Sequence, residues 1–442
     1  MNATMAPPAR ELLLWLDDRR VGALGERDGL WSFTYEADWI EAENGFDLAP
    51  DLPRQHDPLL DGGTRRPVQW FFDNLLPEES ARDLQARELK VDRADAFALL
   101  SALGAESAGP WTLLPPDARP AAPGLQALSH EVLSRRIEAM PQVSLQKEAP
   151  KLMSMAGAQH KLAISVRDGE WFEPVGSEAS THLLKPDHPH AEHWWHTAFN
   201  EYLCMRLAVA AGLAVPEVAF YRVPQPVYLV QRFDRDIGDD GKVTRLPVID
   251  ACQLLGLDRQ FKYTQATPDT LCQLADRCAR PAATRQALLR WSIFNLLIGN
   301  SDAHLKNLSF LTGPQGIRLA PFYDLLSTAV YHKGEPFDRP DWSNDSVSLP
   351  FGSLRTFGDL ERRHLGELAR ATRLSPAAAE RDADRMIERI RDALPSIEAD
   401  WPSTPEDRRP DAGEQRLFRA ISAGLFAEQS GRLDDYLIRK EC

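Results

Sequence analysis

The chain has 442 residues, too many for one hydrophobic core and enough for two or three domains. Hydrophobic content of 43% and charged content of 26% are ordinary for a globular protein, and every apolar run is too short to span a bilayer. A net charge of −14 argues against strong non-specific nucleic-acid binding, which depends on neutralising phosphates. Any role on DNA is therefore expected only through a partner, and no membrane role is expected.

The N-terminal apolar run in ARELLLWLDD is short and meets acids at once, unlike a secretory leader, so a cytoplasmic location is expected. Five scattered cysteines (Cys204, Cys252, Cys272, Cys278, Cys442) lack paired metal-ligand spacing and read as reduced, mostly core thiols. Residues 11–40 alternate with period two through Leu12, Leu14, Leu16 and then Trp31, Phe33, Tyr35, which predicts a small antiparallel sheet. Helices are expected over 69–78 and 81–100. The stretch 115–126, PPDARPAAPGLQ, reads as a linker or surface loop and marks a first boundary.

In LMSMAGAQHKLAISV, a small flexible segment, Ser154, Met155, Ala156, Gly157 and Ala158, enters a strand over 161–166. Such a loop suits a triphosphate, although one glycine alone equally fits a hairpin turn. THLLKP ends a strand on Lys185, and a long helix over 192–213 carries Glu201. A strand lysine followed by a helix glutamate is the order kinases use to hold a phosphate-binding ammonium. The strand of residues 227–235 then resembles a hinge, where the backbone of Gln231 to Phe233 meets an adenine edge and Asp234 a ribose.

Leu288, Trp291, Phe294, Asn295 and Ile298 recur at helical spacing, so a buried helix leads into GNSDAHLKN. Asp302 and Asn307 are five apart, a short hairpin follows, and Asp324 comes next in FYDLLST. A carboxylate to orient a hydroxyl, then an amide and a second carboxylate for magnesium, is what phosphoryl transfer requires. Singly, each has a structural explanation as a turn cap or loop acid, and His304 as a core histidine. In combination they read as a kinase catalytic loop without the HRD, DFG and GxGxxGxV motifs. A metal hydrolase using Asp302 and His304 finds no further histidine cluster with ligand spacing. The rest of the chain, broken by Pro376, Pro395 and Pro402, reads as helical.

These motifs resemble the HipA-type serine/threonine kinases, the toxin half of bacterial toxin–antitoxin pairs. The resemblance runs over nearly the whole chain, through WLDDRRVGALG, FFDNLLPE, SMAGAQHKLAI, THLLKP, NEYLCMRLA, QRFDR, GNSDAHLKN and FYDLLST. It implies an α+β, bilobal, phosphoinositide-kinase-like fold with a β-rich N-terminal part and an all-helical C-terminal lobe. The corresponding domains are 1–115, 116–240 and 241–442. It implies ATP and Mg2+ as cofactors, Asp302 as catalytic aspartate and Asn307 and Asp324 as metal ligands. Lys185 becomes the phosphate-contacting lysine, paired with Glu201. Gln231, Phe233 and Asp234 line the nucleotide site, and His304, Lys306 and Asn307 join the nucleotide-binding set with residues 154–158. Ser154 falls where the family autophosphorylates. His160 departs from the family, which often carries glutamate there, and Gln231 likewise replaces a common glutamate. The implied partners are a HipB-like helix-turn-helix antitoxin, with which the toxin co-represses transcription, and a protein substrate such as an aminoacyl-tRNA synthetase. The alternative is a kinase-shaped docking subunit of a DNA-binding repressor.

Overall fold

The computed structural model describes residues 9–107, 109–154, 156–157, 159–331, 342–401 and 411–434. The chain divides into two compact units. The first comprises Met1–Leu183, Arg232–Gln260 and Phe310–Ile317; the second comprises Leu184–Gln231, Phe261–Ser309 and Arg318–Cys442. The chain crosses between the units within the strand His182–Pro186 and again after Gln231, Gln260, Ser309 and Ile317.

In the first unit the period-two pattern becomes a five-stranded antiparallel sheet. Its order is Leu59–Leu60, Leu30–Tyr35, Arg19–Arg27, Arg10–Leu16 and Trp111–Leu114. Leu12 pairs with Leu24 and Leu24 with Phe33, so one face buries these side chains together with Phe72. Burying each such side chain stabilises the fold by about 1.5–3 kcal/mol. The expected helix over 81–100 is two helices, Glu79–Leu89 and Ala96–Leu103. Lys90 adopts a left-handed conformation that ends the first, and Asp95 caps the second by accepting from the Ala98 amide. The end of the proline-rich stretch is also ordered: Gly124–Ala127 pairs with Glu170–Val175, which pairs with Leu162–Arg167.

In the second unit the helix Thr197–Ala211 is almost wholly buried and ends at left-handed Gly212. It is shorter than the 192–213 reading. The hairpin Val218–Arg222 and Pro226–Gln231 follows. Pro281–Ile298 is the buried helix expected before the catalytic loop. Pro376–Ala399 packs on Thr197–Ala211 and on Arg363–Ala371. Pro376 starts this helix at its first turn, where a missing amide costs nothing, and Pro395 lies inside it instead of breaking it. Pro402 lies outside the described residues.

The all-helical reading of the C-terminal part is corrected by a strand pair, Ser346–Phe351 with Leu354–Thr356. SVSLPF alternates small polar and apolar residues, a period-two signal interrupted only by Pro350. Cys204, Cys252, Cys272 and Cys278 are buried and not in disulfides among the described residues, and Cys442 lies outside the described residues. Among the described residues no helix is long and apolar enough to cross a membrane.

Candidate active site

The helix Pro281–Ile298 ends at Gly299, which has φ +63°. A Cβ there would lie 2.5 Å from Leu425 Cδ1, so both the conformation and the space demand glycine. The Gly299 carbonyl accepts from the Thr328 and Ala329 amides at 3.1 and 3.0 Å. Asn300 is buried and braced on both sides: its Nδ2 donates to Asn295 Oδ1 at 2.9 Å, and its Oδ1 accepts from the Asp302 amide at 3.0 Å. This turn presents the Asp302 side chain outward, 43% exposed. The Tyr263 hydroxyl donates to Asp302 Oδ1. His304 Nε2 lies 3.9 Å from the same oxygen, and its ring meets Tyr263 edge-on at 4.9 Å. Asn307 is buried and donates through Nδ2 to the Asp302 carbonyl at 2.9 Å, which commits the amide nitrogen and leaves Oδ1 as the acceptor atom of the side chain.

Lys185 is the centre of a second cluster in the same unit. Its ammonium lies 2.7 and 3.0 Å from the Glu201 oxygens and 2.7 Å from Asp324 Oδ1. Burial opposes its charge, but Asp324 and Glu201 outweigh that and hold the ammonium above the usual lysine range. Asp324 has φ +57°, an uncommon left-handed conformation for a residue with a side chain, of the kind concentrated at functional sites. Its segment is laced to the 301–309 loop at both ends. Tyr323 donates its hydroxyl to the Lys306 carbonyl at 2.9 Å and pairs with Ser309 Oγ at 2.8 Å. Thr328 Oγ1 accepts from the Ser301 amide at 2.6 Å. Asn200, the residue before Glu201, holds Ser327 of the same segment. Sequence reading missed Asn200, although its place beside the helix glutamate was visible.

These donors suit magnesium. The ion takes hard oxygen ligands and is bound by one or two carboxylates together with waters and phosphate oxygens. The Asp324 carboxylate, 29% exposed, and the Asn307 amide oxygen are oxygen donors of that kind and could hold such an ion. Among the described residues no group of three His, Cys, Asp or Glu side chains forms a protein-only metal cage. In this arrangement Asp302 can accept a proton from a hydroxyl, and Lys185 can neutralise a phosphate.

The remaining expected residues belong to the first unit, except Gln231. Ser154 is fully buried. Its hydroxyl donates to the Leu75 carbonyl at 2.8 Å and its amide to the Glu106 carbonyl at 2.7 Å. The Ala156 carbonyl accepts from Lys161 Nζ at 2.6 Å, and Gly157, at φ +103°, bridges to Pro77 while its carbonyl accepts from the Glu78 amide. This docked segment corrects the expectation of an open, flexible loop. Met155 and Ala158 lie outside the described residues.

Glu106, which sequence reading also missed, anchors the docked segment. It is buried 2.6 Å from Lys151 and 3.2 Å from Arg235, and accepts from Ser180 Oγ at 2.6 Å. Burial raises its pKa, but Lys151, Arg235 and Arg232 override that and hold it well below the usual carboxylate range.

The hinge is more committed than expected. The Gln231 and Arg232 amides donate to the Glu217 and Thr181 carbonyls, each at 2.9 Å. The Asp234 carboxylate is taken by Arg232 at 2.9 and 2.7 Å and by Arg235 at 2.9 Å. It is buried among these guanidiniums rather than turned to a ribose, which is a structural use of the residue.

Residues 153–397 match the HipA-like C-terminal domain family, and residues 12–114 match the HipA N-terminal domain family. The Sinorhizobium fredii protein Y4mE is 40% identical over 335 residues, 73% of this chain and 78% of its own. The serine/threonine-protein kinase toxin HipA of Shewanella oneidensis is 34% identical over 320 residues, 68% of this chain and 71% of its own. A solved structure from Shewanella oneidensis, of HipA and HipB with their operator DNA, aligns with a TM-score of 0.78 at 27% identity. It covers 96% of this chain and 97% of that one.

Proposed function

The chain belongs to the HipA family of serine/threonine kinase toxins, and from that premise we propose that it transfers the γ-phosphoryl group of ATP to a serine or threonine hydroxyl of a cytosolic protein. The observation that carries this reading is Lys185 held by Glu201 and Asp324, on a segment laced to the Asp302–Asn307 loop. Lys185 neutralises phosphate oxygens. Asp324 and Asn307 would hold magnesium, which would supply charge neutralisation at the transferring group. Asp302 orients the acceptor hydroxyl and takes its proton as the new O–P bond forms and ADP leaves. Positioning and electrostatics carry most of such catalysis.

Growth arrest follows if the acceptor is essential to translation, and an aminoacyl-tRNA synthetase is the proposed class. A HipB-like helix-turn-helix antitoxin is the proposed partner, supported by the HipB and operator DNA in the related structure, with DNA contact made through that partner. The −14 charge suits a basic partner surface. Self-modification at Ser154 is proposed as the limit on activity.

Transfer from radiolabelled ATP tests the reading. Asp302→Ala should lower it by about 10³-fold or more, since it removes the group that orients the nucleophile. Near-normal transfer by that variant would refute the assignment. A phosphoproteome of cells expressing wild type against Asp302→Ala identifies the acceptor.

A further inference from the structure

The second unit contains a cleft of about 630 Å³ that the catalytic residues do not account for. Its walls include Trp194, Tyr263, Ser301 and Tyr331, and one side is formed by the strand Ser346–Phe351. Ser301 precedes Asp302, and the Tyr263 hydroxyl donates to the Asp302 carboxylate, so two residues of the cleft wall adjoin the expected proton acceptor. In this structure the Tyr263 phenol makes the hydrogen bond that a substrate hydroxyl needs.

The strand side has a particular character. Side chains of a strand alternate between faces, yet Ser346, Val347 and Ser348 all line the cleft in succession. What borders the cleft is therefore the strand edge rather than one face. Among the described strands, Ser346–Phe351 pairs only with Leu354–Thr356. Its remaining edge is a place where an extended segment adds as a further strand. The cleft also has aromatic walls. Trp194 and Tyr263 are 40% and 42% exposed, unusual for side chains of that size, and Trp194 meets Tyr331 edge-on at 5.2 Å. Aromatic walls in a concave site select a large apolar side chain.

We propose that this cleft is the acceptor site. It takes an extended segment of the protein substrate along the Ser346–Phe351 edge and seats a bulky apolar residue, next to the reacting serine, against Trp194 and Tyr331. The serine hydroxyl displaces the Tyr263 phenol from Asp302. This inference rests on the kinase reading and adds to it the sequence class of the acceptor.

The test uses the full-length protein with magnesium and radiolabelled ATP. The acceptors are serine-centred peptides that differ only in the neighbouring residue: alanine, aspartate, lysine, leucine or phenylalanine. Wild type should show a KM for the leucine and phenylalanine peptides at least tenfold below that for alanine. Trp194→Ala should reduce that preference to less than threefold. Ser346→Arg, an exposed change that places bulk at the rim, should raise KM for every peptide. A thermal shift with Mg-ATP establishes that both variants are folded and bind nucleotide.

Equal KM across neighbours in wild type, or a preference that survives Trp194→Ala, overturns the proposal. Transfer to whole proteins but to none of the peptides also overturns it and leaves the kinase reading standing. Absence of transfer to any acceptor, with no self-phosphorylation, instead removes the kinase reading on which the proposal rests.

Discussion

Asn200 and Ser327 hold each other by two hydrogen bonds. The Asn200 amide donates to the Ser327 carbonyl at 2.7 Å, and the Ser327 amide donates to Asn200 Oδ1 at 2.8 Å. Asn200 also donates to the Tyr331 hydroxyl at 2.9 Å. One helix thus sends consecutive side chains to two places: Glu201 to Lys185 and Asn200 to the segment that carries Asp324. Asn200 is a positioning residue, and Asn200→Ala strands two buried backbone groups at about 1–3 kcal/mol each. The expected outcome is a 10- to 100-fold fall in phosphate transfer with a higher magnesium requirement. A magnesium titration of activity checks it, since a purely structural loss would lower the melting temperature without moving the half-saturation point.

The Lys185 cluster predicts a separation of stability from catalysis. Lys185→Met leaves the buried Glu201 carboxylate without its cation, and breaking one side of a buried ion pair costs on the order of 3–5 kcal/mol. Adding Glu201→Leu removes the orphaned charge. The single variant should melt well below wild type, and the double variant should recover most of the loss. Both should remain at least 100-fold impaired in transfer, because neither presents an ammonium to phosphate. Melting curves and transfer assays on the same preparations check the two halves independently.

The loop after the helix Pro281–Ile298 was the most legible part of the chain because its pattern is local. Asp302, Asn307 and Asp324 lie within one short stretch, and the helix before them carries an unbroken apolar period. The Lys185–Glu201 contact was also readable, since strand and helix are consecutive. What stayed hidden depends on partners far apart in sequence. Glu106 reads as a loop acid until Lys151, Ser180 and Arg235 surround it. Ser154 reads as exposed until Leu75 accepts its hydroxyl. Asp234 reads as a ligand residue until Arg232 and Arg235 fill its carboxylate. The strand over 346–351 was hidden by Pro350, which is tolerated because the strand pairs on one side only among the described residues.

Burial of Ser154 would make the proposed self-phosphorylation a release event. Its hydroxyl has no exposure and is bonded to Leu75, so it must leave this position to react, and a phosphate carrying about −1.5 to −2 charges cannot return to it. Ser154→Asp should therefore undock Ser154, Ala156 and Gly157, raise proteolytic cleavage near them by tenfold or more, and abolish transfer. Ser154→Ala keeps the small volume, loses one hydrogen bond worth about 1 kcal/mol, and should stay protected and active. Limited proteolysis mapped by mass spectrometry compares them, and equal protection of the two variants would count against the release model.

The Asp234 cluster predicts acid sensitivity of the first unit. Burial raises the pKa of Asp234, but Arg232 and Arg235 outweigh it and bring the group down to about 2, against an ordinary aspartate near 3.9. A depressed carboxylate contributes stability that is fully present above the unfolded value. That contribution is lost as pH falls through the folded one. The window is therefore about pH 4 to 2, and the contribution at neutral pH is on the order of 2–3 kcal/mol. Asp234→Asn keeps the shape but leaves two buried guanidiniums facing a neutral amide, so it should be clearly destabilised at pH 7. As pH falls through the window, wild type protonates Asp234 and loses the same interaction, so the gap between the two proteins should narrow. Denaturant unfolding of both at pH 7, 5, 4 and 3 reads this directly. A gap that stays constant to pH 3 would show that Asp234 acts through packing alone and that its charge contributes nothing to holding Arg232 and Arg235 in place.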